Sequence, residues 1–279
     1  VNPAVLAGKV RAAAVEVLAD RGLDSTVLPE TVFVERPRNP SHGDYATNLA
    51  LQVSTQIGVP SRDLAGWLAQ ALTSTGDIAE AQVAGPGFLN LRLAPAALGS
   101  IVVAVESAGA GYGRHPAIRA LIGGDTDAER FAQVRRPPVD PQLLDRRVRE
   151  NPLFLVQYAH ARICRVVENS TKFGMQPAGA DLGLLAHEYE GAAIRTLGEF
   201  PEVVATAAEL REPHRVGRYL QELAAGLHRW YDTPGCTTLP QGDDEVVPVY
   251  LARLRLALAV RQVLVNGLEM LGVSAPERM

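Results

Sequence analysis

From residue 151 to the last residue, apolar side chains return every three or four positions with hardly a break, a pattern that only packed helices satisfy. The spacing predicts helices over 151–172, 181–197, 200–209, 212–231 and 248–272. Only "DTPGCTTLPQGDDEVVP" interrupts them, placing turn residues before the last helix. Short connections make such helices antiparallel neighbours, so residues 150–279 read as an all-α helical bundle.

The first 112 residues follow another rule. "LAGKVRAAAVEVLADRG" has helical spacing and predicts a helix ending at Gly22, whereas "TVFVERP" alternates, is β-branched and predicts a strand. "RNPSHGDYATN" supplies turn residues and then opens a helix through "LALQVSTQIG". A further helix runs from Ser61, a suitable N-cap, to about Ser74. "AEAQVAGPGFLNLRLAP" predicts two short strands around Gly-Pro-Gly, and Pro95 starts a helix to about Gly111. Residues 1–112 therefore form an α+β domain. Residues 113–149, with "GGDTD", "RRPPVDP" and a run of arginines, form a linker or a partly helical connector at the boundary. The whole is mainly α.

Composition narrows the function classes. At 279 residues the chain can bury one large or two medium cores, and no apolar run reaches the roughly 20 residues of a spanning helix. Glu16 and Asp20 interrupt the apolar N-terminal stretch, no cleavage pattern follows it, and a cytoplasmic protein is expected with no membrane partner. Cys164 and Cys236 fit neither a disulfide framework nor a zinc spacing and are expected as small buried residues. The pairs His42/Asp44 and His187/Glu188 have nonspecific spacing. No metal, cofactor or catalytic residue is expected. Net charge is −4, yet residues 112–172 carry eleven Arg or Lys against seven acids. Nearly all the basic residues are Arg, whose guanidinium can fork onto phosphate. A GC-rich codon bias would leave the same excess.

Several stretches are more specific. "RPRNPSHGDYATNLALQ" and "VAGPGFLNLRL" resemble the signature segments of the N-terminal additional domain of arginyl-tRNA synthetases. "NPLFLVQYAHARIC", "RTLGEFPEVV", "ELREPHRVGRYLQELAAGLHRWYD" and "ARLRLALAVRQVLVNGLEMLGVSAPERM" resemble that family's anticodon-binding helical domain, and "DAERFAQVRRPPVDPQLLDRRVREN" resembles the segment leading into it. The family places a catalytic domain between segments like Gly111–Arg114 and Asp127–Arg130, which here stand close together. The histidines never take HxGH spacing, and Lys9 and Lys172, the only lysines, lie in no KMSKS loop. The resemblance thus implies a paralogue without the catalytic domain, binding tRNA, an arginine tRNA first of all, without charging it. A second reading is an accessory module whose protein partner covers the surface vacated by that domain and which serves a synthetase or another enzyme using charged tRNA.

Candidate contact residues follow. Tyr158 and Arg162 stand four apart on one helix face, with His160 to the side. The resemblance implies that this helix lines the anticodon pocket, where a ring stacks on an unpaired base and Arg meets phosphate or a base edge. A half-buried Tyr158 and a solvated Arg162 are the alternative. Trp230 and Tyr231 stand where the family commonly has an aromatic pair, and Met279 corresponds to a final residue near the anticodon loop, or packs. On the elbow side Asn39, His42, Tyr45 and Asn48 cluster around a helix start that Asp44 or Ser41 would cap. Phe88, Asn90 and Arg92 alternate along one strand face, which by resemblance meets the tRNA D-loop.

Overall fold

The computed structural model describes residues 2–37, 39–241 and 245–279, with Pro40 and Pro141 described by their backbone alone. Residues 242–244, part of the turn segment expected at 232–248, lie outside the described residues. The chain divides into two compact units, Val1–Ser100 and Ile101–Met279.

The first unit is α+β. Helix α1 (Pro3–Ala19) is capped by Asn2, whose Oδ1 accepts the Val5 N–H at 2.9 Å, and Pro3 loses no bond at the first turn. Its buried face is Leu6, Val10, Ala13, Ala14, Val17 and Leu18, the three-and-four spacing visible in the sequence. Strand β1 (Tyr45–Thr47) and helix α2 (Leu49–Ile57) follow, then α3 (Ser61–Thr73), β2 (Ile78–Ala84) and β3 (Phe88–Leu93). The sheet is antiparallel in the order β1-β3-β2. Leu89, Leu91 and Leu93 point from β3 into a core shared with Leu6, Val10, Leu49, Leu64, Leu68 and Leu72.

Two local expectations are corrected. The "TVFVERP" segment is not a strand: it touches the sheet by a single bridge, Glu35 to Ala46. Pro37 has no N–H to continue a ladder, and β1 is only three residues long before α2 begins. Asp44 does not cap α2 but caps the sheet, its Oδ2 accepting the Leu93 N–H at 2.7 Å while its own N–H donates to Leu91 O at 2.8 Å. The preceding Gly43 sits at φ +106, where a Cβ would lie 2.7 Å from the Leu91 carbonyl oxygen, so only glycine lets the chain pass β3 there.

Helix α4 (Pro95–Ala108) runs across the division into the second unit, where α8 (Pro152–Ser170), α9 (Glu188–Glu209), α10 (His214–Asp232) and α11 (Pro248–Leu271) form the bundle. Helix α11 is apolar on nearly every side and is buried accordingly, with Ala252, Leu256, Val260, Val263, Leu264 and Leu268 sealed. Residues 113–149 are no loose strap. They hold three short helices, α5 (Pro116–Ala120), α6 (Asp127–Gln133) and α7 (Pro141–Leu144), whose Ile118, Phe131 and Leu144 are buried.

The two helices expected over 181–197 and 200–209 are instead one, α9. It starts later because Leu182–Leu184 form a separate 3-10 turn and His187 caps the helix, Nδ1 accepting the Tyr189 N–H at 3.2 Å. It continues through Pro201, although proline removes the bond to the carbonyl four residues back. That carbonyl, Leu197 O, accepts the Tyr112 hydroxyl at 3.0 Å, and Tyr219 OH donates to the adjoining Thr196 O at 2.8 Å. Phe200 packs between the same two tyrosine rings, with centroids 6.4 and 5.0 Å away.

Candidate nucleic-acid interface

The N-terminal half of α8 and the C-terminal end of α10 together present a row of rings. Tyr158 is 39 % exposed. The Phe154 ring, one turn earlier on α8, stacks on it at 5.6 Å and 10°, and the His228 imidazole of α10 stacks on it at 5.6 Å and 23°. Arg162 lies one turn further on. Its guanidinium sits 3.7 Å over the Tyr231 ring centroid, its Nη2 donates to Asp232 Oδ1 at 2.6 Å, and its Nη1 meets His228 Nδ1 at 3.2 Å. Because guanidinium only donates, His228 Nδ1 is the accepting nitrogen and Nε2 carries the proton, facing Leu155 O at 3.4 Å. Burial first, and then Arg162 beside it, push the His228 pKa below the ordinary imidazole value. The face therefore presents neutral aromatic surface under ordinary conditions, with the Arg162 charge already matched by Asp232.

Beside Phe154 opens a cavity of about 420 Å3, lined among others by Arg146, Arg147, Phe154, Arg278 and Met279. Arg146 and Arg147 are exposed and have no acidic partner among the described residues, unlike Arg278, which reaches Glu168 at 3.2 Å. Segment 272–279 forms one wall. It is tied down at Ser274, which donates its N–H to Asp127 Oδ1 at 3.0 Å and its hydroxyl to Asp127 Oδ2.

Three sequence-predicted contacts are placed elsewhere. Trp230 is 1 % exposed and belongs to the bundle core, because it falls on the inner face of α10 with Leu223 and Leu227 while its neighbour Tyr231 falls outside. His160 is buried on the inner face of α8, with Nδ1–H donating to Pro276 O at 2.9 Å. Burial lowers its pKa as well. Tyr45 is fully buried on the sheet's core side, as the residue paired with Leu91. None of the three presents a surface to a nucleic acid.

On β3 the alternation holds. Phe88 (41 % exposed) and Arg92 face solvent, and Asn90 between them is buried. Arg92 approaches Glu80 across the ladder at 3.4 Å. Phe88 lines a cavity of about 240 Å3 with Phe33, Glu35, Thr47 and Asn48. Asn39 and His42 are exposed in the turn before β1, where Asn39 Oδ1 accepts the Ser41 N–H at 3.0 Å.

Residues 6–93 match the family model of the arginyl tRNA synthetase N-terminal domain, and residues 156–279 match that of the DALR anticodon binding domain. The chain joins an arginyl-tRNA synthetase N-terminal domain to a DALR anticodon-binding domain. Only residues 94–155 lie between the two matched segments, and no catalytic domain stands among them. Among solved structures the chain is similar to Thermus thermophilus arginyl-tRNA synthetase, at 27% identity over 65% of this chain and 31% of that one, TM-score 0.47. It is also similar to a Campylobacter jejuni chain described as an arginyl tRNA synthetase, at 21% identity over 55% of this chain and 33% of that one, TM-score 0.44. The chain spans about a third of the length of either.

On this face, then, Tyr158 and Tyr231 are exposed, and Phe154, just before the matched DALR segment, and His228 are half-buried beside them. Phe154 and His228 were missed in the sequence, although Phe154 stands four before Tyr158 and that spacing places it on the same face. In the N-terminal domain Phe33, 70 % exposed, was missed because the alternation of "TVFVERP" does not say which face is covered. Among the described residues no helix is long and apolar enough to cross a membrane, and no group of three or more His, Cys, Asp or Glu is placed to hold a metal ion.

Proposed function

We infer that this chain binds tRNA, an arginine tRNA before others, and does not aminoacylate it. The observation that carries this reading is the Phe154–Tyr158–His228 stack, with Tyr158 exposed at its centre and the other two rings half-buried, beside Arg146 and Arg147, which have no acidic partner among the described residues. Unpaired loop bases are held by stacking on rings and by hydrogen bonds to their edges, and phosphates by guanidinium. Phe88, Asn90 and Arg92 supply a second such face on the N-terminal domain, which we assign to the tRNA elbow. We assign the anticodon loop to the DALR face, with Tyr231 and Met279 at its margins. The absence of charging rests on the sequence between the domains, which carries neither HxGH nor KMSKS. The cytoplasm, where tRNA is used, is the compartment that suits this role.

Titration of purified tRNA with the full chain tests the reading. Saturable binding is expected, weakening as salt rises because phosphate contacts release counterions. An arginine tRNA should outcompete heparin and unrelated tRNAs, and no arginyl ester should form with ATP and arginine. Equal binding to any polyanion would overturn the reading. So would a stable complex with a protein and no affinity for tRNA, which would favour the accessory-module alternative.

A further inference from the structure

The segment 272–279 is held by Arg130 and Asp127, both half-buried, and by Gln157 and His160, both buried. Arg130 of α6 donates Nη1 to Gly272 O at 2.8 Å. Asp127, the first residue of α6, takes the Ser274 N–H and hydroxyl, one on each carboxylate oxygen. Gln157 of α8, itself buried, closes the junction: its Nε2 donates to Asp127 Oδ2 at 3.0 Å and to Ser274 O at 3.1 Å. His160, one turn from Gln157 on the inner side of α8, holds Pro276 O. Charge-assisted bonds of this kind are stronger than neutral ones, and they hold the segment alongside the buried Val273 side chain. Helix α6 is fixed in turn: Thr126 and Glu129 form a reciprocal cap at its start, and Phe131 is fully buried at its end.

We propose that Asp127 is a positioning residue of the RNA-binding face, clamping segment 272–279 so that Arg278 and Met279 wall the cavity beside Phe154. The proposal rests on the tRNA reading above and deepens it: the cavity takes one unpaired loop nucleotide, its base against Phe154 and its phosphate toward Arg146 and Arg147. Residues 113–149 then do more than join two domains. Helix α6, which lies outside the matched DALR segment, supplies the anchor for that domain's last wall. Asp127 stands in the cavity wall with its carboxylate oxygens taken up by Ser274 and Gln157, and its effect is transmitted through Ser274.

The test uses the full chain and an RNA hairpin carrying an arginine anticodon loop as probe, with hydrogen exchange read in parallel. Asp127→Ala is expected to weaken hairpin binding at least about tenfold and to speed exchange in 273–279, while α8 and α11 keep their protection. Ser274→Ala in the same background should add little, because both substitutions break one junction. Asp127→Asn, which keeps one acceptor for the Ser274 N–H but loses the charge and sets an amide NH2 against the Gln157 donor, should fall between the unaltered chain and Asp127→Ala. Faster exchange in 273–279 with unchanged affinity would overturn the clamp while leaving the tRNA reading intact. Loss of affinity accompanied by loss of protection throughout α8 and α11 would also overturn it, as a plain folding defect. If the unaltered chain fails to bind any tRNA or hairpin, the reading and the clamp fall together.

Discussion

Tyr231 and Trp230 are adjacent in sequence and opposite in role. Trp230 fills the core, and its Nε1 has no hydrogen-bond partner among the described residues, so Trp230→Phe should be mild while Trp230→Ala leaves a cavity costing about 3–5 kcal/mol. Thermal denaturation distinguishes the two. Tyr158→Ala should do the reverse, leaving the fold nearly unchanged and weakening tRNA binding by about 1–3 kcal/mol, the usual contribution of one stacked base. Phe154→Ala should match it, and a titration with both variants checks this pair. Histidine sets a third expectation. His160 and His228 both have folded pKa values below the ordinary 6.5, because burial disfavours their charged forms, with Arg261 and Glu277 near the first and Arg162 and Asp232 near the second. A depressed folded value means that the stability they carry is complete above about pH 6.5 and drains away as pH falls through the lowered values. Denaturant midpoints measured from pH 7.5 down to 5 should fall, and His160→Gln with His228→Gln should flatten that fall. The burial of Trp230 and His160 was not legible from their neighbours in the sequence. Spacing says that Tyr158 and Arg162 share a face, but which face meets solvent is decided by the helices that pack on the others.

At the level of elements, the long helices of the bundle were legible because their apolar residues keep one period for five turns or more. What escaped were features settled by distant partners. Pro201 reads as a break, yet α9 continues because Tyr112, 85 residues before Leu197, takes over the orphaned carbonyl. Burial pushes the Tyr112 hydroxyl up to about 12, so it stays protonated as a donor at any ordinary pH. Tyr112→Phe should therefore lower stability by about 1–3 kcal/mol by leaving a buried carbonyl unpaired, a difference visible in the denaturant midpoint. The closest approach of α10 and α11 is set by Gly267, where a Cβ would stand 2.5 Å from Leu220 Cδ2. Gly267→Ala should cost about 1–3 kcal/mol through overpacking, although alanine favours helix. The segment 31–37 escaped for the opposite reason. Its alternation is that of a strand, but a three-residue β1 gives it only one pair to make.

For the whole molecule, the succession of an α+β part and a helical part was legible, as were the family segments from collinear motifs; the change of period near residue 113 does not coincide with the division of the compact units, which falls at Ser100/Ile101 within α4. The packing of 113–149 was not, because Ile118, Phe131 and Leu144 are isolated apolar residues in a stretch rich in arginine and proline. Only the surrounding bundle turns them into core. Two faces with exposed rings result, one on each unit, and we assign the anticodon loop to the one that carries Tyr158. Ribonuclease footprinting of a bound arginine tRNA tests it most directly. Protection of the anticodon loop that disappears with Tyr158→Ala and survives Phe88→Ala is the predicted result; an anticodon loop cut as freely in the complex as in free tRNA would contradict it.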